Sequence, residues 1–284
     1  MKGVIGRFFL LWFYLKNSQI RKRVKIHSLL FHFFLRKCDK IASKYILDVV
    51  EEGDFNKYKF SEIDGFLFLR KDINIHSLYQ VISEGMLSKH WHYYEIPETK
   101  VEKNDVVVDC GSAEGFFSFK NKNKAKKVYL IEPNKIYNLC LNQTFKESLN
   151  CEILNCAIGD KVSNVSFVET KNNIDSFVSV VENETLDTNQ YDIKMETIDN
   201  LFFKTNIKIN YIKADIEGFE EQMLIGAKQT IIRDKPKIAV TVYHWNQNYQ
   251  NIINIVKSYV PEYKLISKGV ESYKGNPVML HFYI

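Results

Sequence analysis

Several short segments hold residue types able to bind a small molecule. The first, Asp109-Cys110-Gly111-Ser112-Ala113-Glu114-Gly115, closes the β-branched run VVVDC at 106–110. Small residues at 111, 113 and 115 permit a tight strand-to-helix turn and let a ligand approach the backbone. The second is Glu132-Pro133, behind the run VYLI (128–131) and twenty-one residues past Gly111. An acid at that offset is placed to accept the two hydroxyls of a ribose. The third, Ala157-Ile158-Gly159-Asp160, offers an apolar wall and a carboxylate suited to flank an adenine and its exocyclic amine. Ligands of open α/β sheets bind beyond the carboxyl ends of the strands, so three successive strand ends converge on one adenosine-like ligand.

Two later segments carry candidates for chemistry. Lys213-Ala214-Asp215-Ile216-Glu217-Gly218-Phe219-Glu220 puts Asp215 at the edge of an apolar strand and opens a helix with Phe219, Met223 and Ala227 on its inward face. Glu220 and Glu221 read as first-turn acids favoured by the helix dipole. Tyr243-His244-Trp245 ends the strand KIAVTVY (237–243). A histidine there suits general base catalysis near neutral pH, with Asp215 orienting it or the acceptor. The competing arrangement has Asp215, Glu217 and His244 hold a divalent ion that polarises an acceptor hydroxyl; a metal is compatible with the pattern but not predicted by it. His90-Trp91-His92-Tyr93-Tyr94 contains an H-x-H pair without an evident third ligand, so its aromatics are expected to line an acceptor pocket or cap the sheet. The chain has no G-x-G-x-x-G after the first strand and no G-x-x-x-x-G-K-[ST], so no pyrophosphate cradle is indicated. That favours S-adenosyl-L-methionine, whose sulfonium suits the acids Asp109, Glu132 and Asp215, over NAD or ATP.

The elements that must position these residues alternate. Apolar runs at 106–110, 128–131, 152–155, 209–214, 237–243, 263–267 and 279–284 are separated by helical stretches at 134–148, 217–233 and 246–259. Strands alternating with helices argue for a parallel α/β sheet with right-handed crossovers. Between the last two runs lies SKGVESYKGNP, too short and polar for a crossover helix, so the final strand is expected antiparallel. Residues 160–208 read as an inserted stretch of short strands and loop. Upstream, NKYKFSEIDGFLFLR predicts a hairpin turning at Asp64-Gly65, and 75–86 predicts a helix.

VVVDCGSAEGFFS, VYLIEPNK, CEILNCAIGD, METIDNLF, YIKADIEGFEEQMLIGA and KIAVTVYHW, in that order, resemble the FkbM-type S-adenosylmethionine-dependent methyltransferases. The resemblance covers roughly residues 93–284. It implies a class I methyltransferase (Rossmann-like) seven-stranded sheet, mostly parallel with a C-terminal antiparallel strand. It also implies O-methylation of a sugar or glycan, with cofactor contacts at Asp109, Gly111, Ser112, Gly115, Glu132, Pro133, Ala157, Ile158, Asp160 and Asp215. The family commonly has Ala-Asn after the first glycine, where this chain has Ser112-Ala113. A non-catalytic scaffold of the same fold recruited by its basic arm, and a nicotinamide-dependent oxidoreductase, are the alternatives.

Length and charge frame this reading. At 284 residues, with 45% hydrophobic and 26% charged residues, the composition is globular and excludes collagen-like or wholly disordered chains. The expected division is a basic aromatic helical arm at 1–50, a hairpin and helix appendage at 51–92, and a catalytic domain at 93–284. Residues 1–44 hold 11 Lys/Arg against the single acid Asp39, whereas the rest of the chain is acidic. FFLLWFYL (8–15) is far short of the ~20 apolar residues of a spanning helix. Its alternation with basic blocks suits interfacial helices on an anionic membrane surface, or docking on a partner subunit or the body. No nucleic-acid partner is expected. Five cysteines without C-x-x-C spacing predict neither a disulfide framework nor a structural zinc site, in keeping with a cytoplasmic protein, and the arm makes association with the inner face of the membrane one of its options.

Overall fold

The computed structural model describes every residue except 1–3, 171–176, 180–187, 246 and 272–273. Four short helices come first: α1 (Val4–Lys16), α2 (Ser18–Arg23), α3 (Ile26–Phe33) and α4 (Cys38–Ala42). Asn17 breaks α1 from α2 by capping the latter, its side chain accepting from the N–H groups of Gln19 and Ile20. An antiparallel sheet follows, with strands β1 (Ile46–Glu52), β2 (Phe55–Phe60) and β3 (Phe66–Arg70), and then α5 (Ile75–Met86). The expected hairpin is β2–β3, with Gly65 in the left-handed region at φ +94°. β1 departs from the reading of 1–50 as helical. As an edge strand exposed from Leu47 onward, it has no buried alternation to announce it, and its pairing is supplied by β2.

The main sheet has the order β13-β14-β12-β11-β4-β5-β6. Its N-terminal half comprises β4 (Val106–Cys110), α6 (Phe116–Asn121), β5 (Lys127–Ile131), α7 (Lys135–Phe145) and β6 (Cys151–Leu154). Next come β7 (Ala157–Ile158), β8 (Ser163–Thr170), β9 (Phe177–Ser179) and β10 (Thr188–Glu196), which form a separate four-stranded sheet in the order β7-β10-β8-β9. The expected insertion is therefore this sheet, although 171–176 and 180–187 lie outside the described residues. The C-terminal half runs through β11 (Tyr211–Ala214), α8 (Glu220–Ile225), α9 (Lys228–Asp234), β12 (Lys237–Thr241), α10 (Tyr249–Tyr259), β13 (Lys264–Lys268) and β14 (Met279–Tyr283). Every pairing in the main sheet is parallel except those of β14, which lies antiparallel between β12 and β13. The last strand is thus antiparallel as expected, and it sits inside the sheet rather than at its edge.

Both faces are covered. Val107, Val128, Leu130 and Tyr211 pack with Phe116, Phe119, Leu141 and Phe145 on one side. Val108, Ile131, Ile212 and Val240 pack with Met223, Ile231, Ile252 and Val256 on the other, as the period of two in a strand requires. The N-terminal helices join the first layer through Ile20, Val24, Leu29 and Ala42. The stretch expected as one helix over 217–233 is two, broken at Gly226. A Cβ there would stand 2.1 Å from the carbonyl oxygen of Gly159, so the break lets the helix pair close on the loop after β7.

Candidate active site

The turn after β4 is built on close approach. Gly111 has φ +73°, and a Cβ on it would lie 1.9 Å from the backbone oxygen of Asp215, where β11 ends beside β4. Gly115, at φ +75°, opens α6 against Leu141, 2.5 Å from where its Cβ would be. The backbone N–H of Ala113 donates to Glu132 Oε2 at 2.8 Å, and that of Asn134 to Glu132 Oε1 at 2.8 Å. Glu132 is 5% exposed, and burial pushes its carboxyl up to about 7 against the pull of these two amides. Each oxygen keeps a lone pair for a second donor, and the side chain lines the pocket that opens over these strand ends.

Beneath the turn, Asp109 is fully buried. Ser118 Oγ donates to Asp109 Oδ2 at 2.6 Å, and Lys213 Nζ pairs with Oδ1 at 3.0 Å. Lys213 also donates to the carbonyl of Gly111 at 2.5 Å. Burial alone would lower its pKa, but Asp109 and Asp215 outweigh that and hold the ammonium protonated. Asp109 therefore fixes the turn from below through Lys213, and it does not line the pocket.

Asp215 lines the pocket at the end of β11. Tyr94 Oη donates to its Oδ2 at 2.6 Å and Thr241 Oγ1 to its Oδ1 at 3.1 Å. Burial favours the neutral acid, yet His244, Lys213 and Tyr94 prevail and keep Asp215 ionised below the usual carboxylate range. His244 sits behind it, outside the pocket lining, with a 9% exposed side chain. Its Nε2 lies 3.2 Å from Glu217 Oε2 and 3.5 Å from Asp215 Oδ1, while Nδ1 lies 3.3 Å from Glu220 Oε1. Burial would strip the imidazole of its proton, but the three carboxylates raise it to about 11. An imidazole that holds its proton has no lone pair to accept another, so these contacts lend no support to the expected general-base role of His244. The imidazole stands between the carboxylates of Asp215, Glu217 and Glu220.

Among the other expected contacts, Ser112, Pro133, Ala157 and Ile158 line the pocket with Gly111, and Phe167 of β8 adds to its apolar wall. Gly115 shapes the turn without facing the cavity. Asp160 is exposed and outside the lining. β7 turns away to pair with β10, and the N–H of Gly159 is spent on the carbonyl of Glu196, so the chain leaves the site before reaching Asp160. The H-x-H pair does gain a neighbouring acid: ligand atoms of Glu84, His90 and His92 fall within 4.8 Å of one another, as do those of Asp215, Glu220 and His244.

Tyr93 and Tyr94 line the pocket, whereas Glu84 of α5 and the roles of Lys213 and the buried Glu220 were missed in the sequence. The lysine in YIKA was the one legible sign, since a cation inside an apolar strand demands a buried acid. Among the described residues, the lining holds the acids Glu84, Glu95, Glu114, Glu132, Asp215 and Glu217 against two lysines, Lys120 and Lys213, and no arginine.

A doubly covered seven-stranded sheet with one antiparallel strand, carrying a small-residue turn after one strand and a buried acid after the next, defines the class I methyltransferase fold. The family model described as the methyltransferase FkbM domain matches residues 109–263, more than half of the chain, and the chain belongs to that family. No curated protein matches it. Among solved structures it is similar to a methyltransferase FkbM from Methylobacillus flagellatus KT, at 22% identity over 76% of this chain and 56% of that one, with a TM-score of 0.49. The chain thus spans little more than half the length of that protein. It is also similar to Aeropyrum pernix fibrillarin in complex with natively bound S-adenosyl-L-methionine, at 8% identity over 84% of this chain and 98% of that one, with a TM-score of 0.42.

Proposed function

We propose that this protein methylates a hydroxyl of a sugar or glycan with S-adenosyl-L-methionine as donor. The observation that carries the reading is the charge of the pocket. Six acidic side chains, Glu95 and Asp215 held ionised among them, against two lysines, one of them paired with Glu95 at 2.9 Å and the other with Asp109 at 3.0 Å, suit a cationic ligand better than a pyrophosphate. The same balance speaks against a nicotinamide dinucleotide. The residues present fit the cofactor: Glu132, pre-aimed by two amides, takes the ribose hydroxyls; Ala157, Ile158 and Phe167 face the base; the Gly111–Ala113 backbone and Asp215 take the amino acid end. When bound, the sulfonium supplies an electrophilic methyl carbon.

This chain's residues then have to orient an acceptor oxygen and receive its proton. Tyr94, Tyr243 and Phe117 give aromatic faces for sugar C–H surfaces, and Glu84, Asp215 and Glu217 give acceptors for hydroxyl groups. Asp215 Oδ1, held ionised, accepts the hydrogen bond of the reacting hydroxyl. When the hydroxyl oxygen takes the methyl group, its proton passes to Asp215 and from there to solvent beside Glu217, whose side chain is 39% exposed. His244 is a positioning residue that keeps both carboxylates charged.

Labelled cofactor incubated with a panel of nucleotide sugars and oligosaccharides, in the presence and absence of excess EDTA, tests this. Label is expected on a carbohydrate, with turnover unchanged by the chelator. Label confined to non-carbohydrate acceptors overturns the substrate class. Loss with EDTA restored by added Mg2+ replaces the proton on His244 by a metal ion.

A further inference from the structure

Helix α1 is apolar on all sides. Leu10, Leu11, Phe13 and Tyr14 pack against the core, while Phe8, Phe9, Trp12 and Leu15 face outward, with Phe8 57%, Trp12 51% and Leu15 64% exposed. Phe8, Trp12 and Leu15 follow one another at four and three residues, so they form one stripe. On α3 and just past it, Ile26, Leu30 and Phe34 make a second exposed stripe at four-residue steps, with Phe34 72% exposed. A helix apolar all round needs a second apolar medium on its outer side. The inner side is already satisfied: His32 stacks on Trp91 at 3.8 Å, Trp91 Nε1 donates to Ser28 Oγ at 2.9 Å, and Arg23 donates to the carbonyl of Gly275 at 2.9 Å.

The surroundings of these stripes are basic. Lys16, Arg21, Lys22, Lys25, Arg36 and Lys37 are exposed, and the only acid in residues 1–44 is Asp39. Leu30 and Phe34 also wall a groove with Leu35, Ile41 and Leu87, and Arg36 stands at its rim. None of the described helices is long and apolar enough to cross a membrane. α1, with 13 residues, is about 20 Å long against a hydrocarbon core of about 30 Å.

We propose that helices α1 and α3 dock the protein flat on an anionic lipid surface. Trp12, Phe8, Leu15 and Phe34 enter the acyl boundary, and the flanking lysines and arginines meet lipid phosphates. Charge selects this occupant over a second copy of the chain, because two arms of the same strong positive charge repel across an interface. It also selects it over an acid-poor protein surface, and the aromatic stripes select it over nucleic acid, whose phosphates leave such side chains in water.

The test is flotation of the full chain with vesicles of phosphatidylcholine alone and with equal parts phosphatidylglycerol, without cofactor. The expected result is several-fold more protein bound to the anionic vesicles. That gain is expected to fall at high salt, since the Debye length shrinks from about 8 Å at 0.15 M to about 3 Å at 1 M. The double variant Trp12→Asp, Phe34→Asp, which alters only exposed side chains, is expected to lose at least tenfold in binding with an unchanged melting temperature. Equal binding to both vesicles, none to either, or wild-type binding by the double variant overturns the proposal. So does a concentration-dependent dimer that the same variant disperses, which would give the stripes to a second copy. Because no cofactor is present, these outcomes are independent of the methyl-transfer reading.

Discussion

Gly111→Ala is expected to abolish measurable cofactor binding and to destabilise the fold. Position 111 has φ +73°, where an L side chain costs of order 1–3 kcal/mol. The added Cβ would also meet the carbonyl oxygen of Asp215 at 1.9 Å, and that oxygen belongs to the backbone, which has no rotamer to yield. Relief requires β4 and β11 to part by roughly an ångström at the point where both feed the pocket, adding about 1–3 kcal/mol of overpacking. A displacement of that size costs on the order of 100-fold in rate where it misplaces reacting groups, and here it also moves the turn itself out of register with the pocket. Thermal denaturation and calorimetric titration of the variant read the two effects separately. Wild-type melting and wild-type affinity together would mean that the strand ends are not held as described.

His244→Ala is expected to cost more stability than the loss of one histidine suggests. The imidazolium is the shared cation of Asp215, Glu217 and Glu220, and Glu220 is fully buried. Removing one partner from a buried ionic group leaves uncompensated charge, a loss of about 3–5 kcal/mol, or about 5–8 °C in melting temperature for a chain of this size. The pH dependence has a definite sign. The folded-state pKa of His244 is raised from 6.5 to about 11, so its contribution is complete below about pH 6.5 and is lost as pH rises toward 11. Wild-type stability is therefore expected to decline from neutral to alkaline pH by up to about 1.4 kcal/mol per unit from this group. The variant should lack that slope, and its deficit should shrink in acid as the carboxylates take up protons. Denaturant unfolding at pH 5, 7 and 9 measures this, and NMR of the imidazole provides a direct check. A histidine 244 signal that titrates near 6.5 would restore it as a base and remove it as the cation of the cluster.

The parts of this molecule legible in its residues are those where local pattern and position in the chain suffice. VVVDC reads as a buried strand because three valines in succession lead it and Gly111 bounds it, and Glu132 reads as a ligand acid because its distance from Gly111 is set by one helix and one strand. The helix over 75–86 coincides with α5, since Asn74 caps its first turn with a side-chain acceptor to the N–H of His76. What was not legible depends on strand ends becoming neighbours. Glu220 reads as a helix-dipole acid, and only the adjacency of β11 and β12 reveals it against His244 Nδ1 at 3.3 Å. Lys213 looks like an interruption in an apolar strand until Asp109 on the paired strand is seen opposite it. Asp160 reads as the third ligand acid because the pairing of β7 with β10, which turns the chain away before it, is a contact across nearly forty residues. The arm was legible as basic and aromatic, and the structure divides that one description into a docked inner side and an exposed outer one.

Isothermal titration of the folded chain with S-adenosyl-L-methionine bears most directly on the central claim, that an acid-lined pocket over the ends of β4, β5 and β11 receives a sulfonium cofactor. One-to-one, saturable binding is predicted, lost in Gly111→Ala and absent when NADH replaces the cofactor. No detectable heat from pure protein whose melting is cooperative, or saturable binding of NADH instead, would contradict it.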